Sequence, residues 1–146
     1  MKQTIACLLL LALLAGLAGC GGRLSPALPE DATAFALFDY VNPEDGEDEY
    51  LALEYQGRIY LPYGTQTGRF RASDLGPCLG YRVQDGEAQR DSRVCGLAAD
   101  PQRNYLVELF PEAIMLPPYF YRALDTAGQD IEIPAYIEPL GYSVWE

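Results

Sequence analysis

Histidine is absent from this 146-residue chain, and lysine occurs once, as Lys2. Without histidine, the Ser-His and Cys-His pairs that activate most nucleophiles cannot be assembled. With no lysine beyond residue 2, Schiff-base chemistry and Ser-Lys pairs are excluded from the body as well. A His-containing metal site is ruled out, and Cys78 and Cys95, 17 positions apart, do not make a zinc site. No Gly-rich phosphate loop or dinucleotide fingerprint is present. Carboxylates remain, and a glycosidase needs two of them across a cleft. With 21 acidic residues, chance pairs are certain and carry little information. The chain therefore reads as non-catalytic, without cofactor or metal, and a carboxylate-based hydrolase is the last enzymatic alternative.

Positive charge is the other shortage. Once residues 1–19 are set aside, nine arginines stand against 21 acidic residues, a net charge of −12. Nucleic-acid binding depends on phosphate neutralisation, so this balance argues against it. Electrostatic adhesion to anionic lipid is disfavoured on the same ground. An acidic surface suits a soluble exported domain, or one that meets a cationic partner.

What is present begins with the amino end. Lys2 gives a positive start, Ile5 to Leu17 is almost wholly apolar, and Ala18-Gly19-Cys20 follows. A charged start, a short apolar core and small residues at a cut site describe a secretory signal. The apolar run is shorter than the about 20 residues a membrane-spanning helix needs. Leu17-Ala18-Gly19-Cys20 resembles the lipobox of bacterial lipoproteins at all four positions. The resemblance implies acylation of the Cys20 sulfur and cleavage between Gly19 and Cys20. Two or more acyl chains, at about 0.8 kcal/mol per buried CH₂, hold a protein firmly to a membrane. Residues 20–31, rich in Gly, Ser and Pro, read as a flexible tether. The expected location is the bacterial cell membrane on the exported side. By the family's sorting rule, Gly21 directs the protein to the outer membrane if the cell has one.

Residues 32–146 read as one globular domain, mainly β or α+β. The 127 residues after the signal suffice for a real core. The reading is an antiparallel meander or small barrel of about five to seven strands with short C-terminal helices. Thr33 to Phe38 is a first strand. Tyr50 to Tyr55 and Arg58 to Leu61 form a hairpin across Gln56-Gly57, with Leu53 opposite Tyr60, and Pro62 ends it. A short strand is placed at Arg69-Phe70-Arg71. Cys78 to Val83 and Arg90 to Cys95 form a second hairpin, with Cys78 facing Cys95, Leu79 facing Val94 and Arg82 paired to Asp91. In an exported protein two such cysteines suggest a disulfide, stabilising by about 3 kcal/mol in the chain-entropy model. Two buried free thiols are the alternative. Asn104 to Phe110 is a strand with Tyr105, Val107 and Leu109 on one face. Ile131 to Ile133 is a further extended segment. Helical turns are expected at Tyr119 to Leu124, behind Pro117-Pro118, and at Pro134 to Glu138. Gly141 to Trp145 is apolar enough to dock on the body. Through Tyr60 to Gly64, Asp74 to Tyr81 and Ile133 to Ile137, the body is similar to small uncharacterised lipoproteins of anaerobic bacteria, which implies no activity.

Two surfaces stand out. Glu44, Asp45, Glu47, Asp48 and Glu49 around Gly46 offer hard oxygen ligands, but the spacing is not that of an EF-hand loop, and the run reads as a solvated loop. Eleven tyrosines include Tyr119 and Tyr121 beside Pro118, and the pair Tyr60 and Tyr63, which are candidate contacts for a sugar or protein. The expected function is contact: a membrane-anchored envelope lipoprotein with a non-catalytic binding domain. The alternative is an acidic inhibitor or immunity-type protein acting on a cationic enzyme or toxin.

Overall fold

The computed structural model describes residues 24–44, 46, 48–113 and 115–146. The signal segment 1–19, the cleavage site at Gly19 and the lipidation residue Cys20 lie outside the described residues. So do Asp45 and Glu47 of the acidic loop. Among the described residues no helix is long and apolar enough to cross a membrane.

The fold is mainly β, as the alternation of apolar and polar residues predicts. Among the described residues nine strands form one curled sheet: β1 (Thr33–Ala36), β2 (Phe38–Val41), β3 (Glu49–Tyr55), β4 (Arg58–Gln66), β5 (Leu75–Gln84), β6 (Glu87–Leu97), β7 (Tyr105–Leu109), β8 (Tyr119–Ala123) and β9 (Ile137–Pro139). The order is β1-β5-β6-β7-β8-β4-β3-β2, with β9 added beside β4. The pairing of β1 with β5 is parallel and the other pairings are antiparallel. The two ends of this order, β1 and β2, are separated in the chain by Leu37 alone. One kinked strand thus pairs with β5 through its first half and with β3 through its second, so the sheet closes on itself as a small barrel. Phe35 stacks on Tyr55 across that seam, with ring centres 5.7 Å apart.

Two hairpins close through the same kind of turn: Gln56-Gly57, as expected, and Asp85-Gly86, which shortens the loop expected between Val83 and Arg90 to two residues. Gln56-Gly57 and Asp85-Gly86 each place both central residues at positive φ (51° and 77°, 52° and 79°). That is the type I′ geometry whose twist suits a two-residue hairpin, and glycine at the second position adopts it without strain. The expected register of Leu53 opposite Tyr60 is present.

The strand count exceeds the expected five to seven because two segments expected as helical turns are strands, and because the first strand runs past Phe38 to Val41 and divides into β1 and β2. Tyr119–Ala123 is β8, wedged between β7 and β4, where both edges supply backbone partners. Its residues alternate between the barrel interior (Tyr121, Ala123) and the outer cluster (Phe120). Pro134 and Ile137 do close a turn, but Ile137–Pro139 then pairs with Gly64–Gln66. In both places tertiary pairing overrides local propensity. Pro62 does not end its strand: β4 runs on to Gln66 through a register shift between Pro62 and Gly64, the kind of irregularity that accommodates a missing N–H. Arg69 to Arg71 and Ile131 to Ile133 form no strand. Phe70 instead inserts between Phe120 and Tyr136, at 5.5 and 4.8 Å. The helical segments among the described residues are single 3-10 turns at Ala72–Asp74, Leu124–Thr126 and Ser143–Trp145.

The core has an inside and two outer flanks. Phe35, Leu53, Tyr60, Leu79, Val94 and Leu106 fill the barrel. Tyr105, Val107 and Leu109 share the opposite face of β7, as their spacing predicts, and lie under the segment from Tyr136. The C-terminal segment covers the other flank. Trp145 donates its indole N–H to the Pro62 carbonyl at 2.8 Å and packs with Leu61 and Ala52. Arg122 is buried between Tyr63 and Trp145 (5.3 and 5.1 Å) and donates to Thr126 and to the Gln129 carbonyl. The stretch read as a tether touches the body from Leu24 onward: Leu24 packs on the outer cluster, and Arg93 donates to the Pro26 carbonyl at 2.9 Å.

Candidate functional site

At one mouth of the barrel the apolar filling gives way to a polar floor. A cavity of about 550 Å³ opens there, within the range that holds a small ligand. Glu108, on the inward face of β7 beyond Leu106, lies at the base and is 2% exposed. Tyr121 donates its hydroxyl to Glu108 Oε2 at 3.1 Å. Glu108 Oε1 lies 3.4 Å from Arg82 Nε, but the two are not aligned for a hydrogen bond. Both atoms are buried and unpartnered. A buried acceptor without a donor typically costs about 1–3 kcal/mol, more if charged, so this pair marks a site where stability is not maximised.

Arg82 reaches the site because of irregular pairing in β5. The expected register put Arg82 opposite Asp91 and Leu79 opposite Val94. Instead β5 shifts register three times, so that Gly80 faces Val94 and Arg82 faces Gln89. The expected Arg82–Asp91 cross-strand pair is not formed. The Ser92 hydroxyl accepts the Arg82 backbone N–H at 2.8 Å, and the guanidinium turns inward over the Phe110 ring at 5.2 Å.

A run of tyrosines forms the facing wall. Tyr50 meets Tyr142 edge-on at 5.7 Å, and the hydroxyls of Tyr142 and Tyr119 share a hydrogen bond of 2.9 Å. Tyr119 meets Tyr121 edge-on at 5.4 Å, and Tyr121 reaches Glu108. Leu51 and Leu116 stand exposed on the rim, and Glu49 brings a second carboxylate to the cavity. Burial pushes the Glu108 carboxyl above its ordinary value; Arg82 and the Tyr121 hydroxyl oppose the shift, and Asp91 adds to it. Burial raises the Tyr121 and Tyr119 phenols likewise, so they remain protonated donors.

No protein-family profile, curated protein or solved structure matches the chain.

Of the residues singled out in the sequence, Tyr119 and Tyr121 line this cavity, while Tyr60 and Tyr63 are buried core residues at 1% and 3% exposure. Tyr60 cannot offer a contact surface, because its ring fills the barrel and its hydroxyl donates to the Arg103 carbonyl. Within the acidic loop, Asp48 accepts hydrogen bonds from Tyr50 and Ser143, tying the loop to the C-terminal turn. Among the described residues no cluster of metal-ligating side chains is found. Glu108 was not among the residues singled out, and Arg82 was expected to pair with Asp91 rather than to reach a cavity. The available signal was one glutamate inside the apolar run Tyr105-Leu106-Val107-Glu108-Leu109-Phe110.

Cys78 and Cys95 are direct partners across β5 and β6, as expected. The expected bond between them is not closed in this structure, where both are thiols. Cys78 Sγ is directed toward the carbonyls of Val94 and Gly80, at 3.8 and 4.0 Å. A hydrogen bond from Cys95 lowers the Cys78 thiol to about 7, and that bond and burial push the Cys95 thiol up.

Proposed function

We propose that this protein is a lipid-anchored envelope protein whose barrel binds a small ligand at the mouth cavity, without catalysis. One observation carries the binding reading: a cavity of about 550 Å³ with an acceptor and a donor, Glu108 Oε1 and Arg82 Nε, buried and unpartnered at its floor. Buried polar groups are usually satisfied, so an orphaned pair beside a cavity fits a site completed by a ligand. The test is a fragment screen read by protein NMR. Shifts should concentrate at Glu108, Phe110, Tyr119 and Tyr121. If every hit maps elsewhere, or none is found, the binding reading fails.

The anchor rests on Leu17-Ala18-Gly19-Cys20 and the apolar run before it. Cys20→Ala should abolish acylation and leave a precursor that keeps residues 1–19. The same mass measurement reads the cysteines. In an oxidising compartment Cys78 and Cys95 are placed to form a disulfide, losing two protons and two electrons to a thiol–disulfide oxidant. The attack would come from the Cys78 thiolate, which is formed near neutral pH. The mature exported protein should carry no alkylatable thiol until reduced, and a normally cleaved, unlipidated wild-type protein would refute the anchor.

A second reading is favoured by Glu49, which shares the cavity with Glu108. Two carboxylates, one raised by burial, are the minimum equipment of a glycoside hydrolase. Turnover of aryl glycosides by the wild type, lost in Glu108→Gln, would establish it over the non-catalytic reading.

A further inference from the structure

We infer that the mouth cavity takes a small organic cation, an amine carried on an apolar or aromatic body, and that Arg82 occupies the cation's place when the site is empty. The inference rests on the cavity being a ligand site and names what it binds.

Charge decides the class. The charged groups lining the cavity are Glu49, Glu108 and Arg82, two carboxylates against one guanidinium. Asp91 adds negative potential at Glu108, and the exported chain as a whole carries −12. An anionic ligand would enter against this field. A cation would be drawn to it and would complete the compensation that Arg82 leaves unfinished. Glu108 Oε1 has no donor, although Arg82 Nε is only 3.4 Å away. An ammonium, with three donors on a compact centre, can align with that oxygen where the planar guanidinium does not.

The walls fit the same class. Tyr50, Tyr119, Tyr121, Tyr142 and Phe110 present aromatic rings around the floor. Aromatic faces attract cations, more strongly when the site is shielded from water. The protein's own cation already shows this: the Arg82 guanidinium lies 5.2 Å from the Phe110 ring centre. Its side chain is 23% exposed against 2% for Glu108, so Arg82 can withdraw into water while Glu108 cannot. Displacing it opens the carboxylate to a competitor. The exposed Leu51 and Leu116 at the rim would cover the ligand's apolar body.

The test uses benzylammonium and its neutral counterpart benzyl alcohol, titrated into the soluble domain and followed by NMR. The wild type, Glu108→Gln and Arg82→Met are compared, each first checked for native circular dichroism. Benzylammonium should bind at the mouth of the wild type and about tenfold more tightly to Arg82→Met, where its competitor is gone. It should lose at least tenfold in Glu108→Gln, and benzyl alcohol should bind no better to any of the three. Equal benzylammonium binding by wild type and Glu108→Gln would overturn the inference. So would weaker binding by a folded Arg82→Met. If benzyl alcohol binds better than benzylammonium, the cation class falls while the cavity remains a ligand site. If neither probe nor any screened fragment maps to the cavity, the binding reading itself falls.

Discussion

Gly80→Ala should open the barrel. A Cβ at position 80 would lie 1.9 Å from the Thr33 carbonyl oxygen and under 3 Å from two further backbone atoms of Thr33. Backbone cannot step aside as a flexible side chain can, so β1 must leave β5. Glycine in a strand often marks such a close backbone approach. Overpacking of this kind costs about 1–3 kcal/mol, and exposing Phe35 adds about 1.5–3 kcal/mol. The expected loss is about 3–5 kcal/mol in urea unfolding, with faster amide exchange at Leu37, whose N–H donates to the Val83 carbonyl at 3.3 Å. Gly96→Ala is the control. Its Cβ would meet nothing nearer than 3.9 Å, and it should cost well under 1 kcal/mol. Equal losses in the two variants would mean that closure through β1 contributes little.

The Arg82–Glu108 pair should respond asymmetrically to the removal of either partner. Arg82→Met leaves a carboxylate buried without a cation, and breaking a buried pair in this way costs about 3–5 kcal/mol near neutral pH. Glu108→Gln should be nearly neutral. The amide still accepts from Tyr121, and Arg82 is exposed enough to be hydrated. The double variant should return to within about 1 kcal/mol of wild type, since a neutral polar floor replaces a poorly aligned pair. The pH dependence follows from the raised Glu108 carboxyl. A carboxyl raised on folding binds its proton more tightly in the native state, so its presence lowers stability as pH rises from the unfolded value through the folded one. Acidification should therefore recover stability in the wild type, recover more in Arg82→Met, and recover less in both variants lacking Glu108. Urea unfolding at several pH values measures this. A large cost for Glu108→Gln at neutral pH would show that the pair serves stability, and would weaken the case that it is held for a ligand.

The two predictions concern opposite kinds of position. Gly80 is where the chain closes its barrel, and Glu108 is where the barrel's filling stops being apolar. Neither is conspicuous in the sequence. Gly80 is one of 14 glycines, and its neighbour Thr33 is 47 positions away. Glu108 lies opposite Val94 on β6, yet its partner Arg82 comes from β5, turned inward by register shifts that no local pattern announces. Tyr119 and Tyr121 were legible as a tyrosine cluster, but as part of a helical turn. Placed on β8, both instead face the cavity, and Phe120 between them goes to the outer cluster.

By itself the sequence determined the mainly β class, the hairpin at Gln56-Gly57, the pairing of Cys78 with Cys95, and the shared face of Tyr105, Val107 and Leu109 on β7. These are local matters. Two-residue turns, alternation along one strand and the meeting of adjacent strands depend on residues close in the chain. Closure of the sheet through β1 and β2, the strand state of Tyr119–Ala123, and the meeting of Arg82, Glu108 and Tyr121 were decided by tertiary structure alone. Each requires segments far apart in the chain to share a backbone edge or a buried volume. The free energy that selects them appears only when those partners are in place.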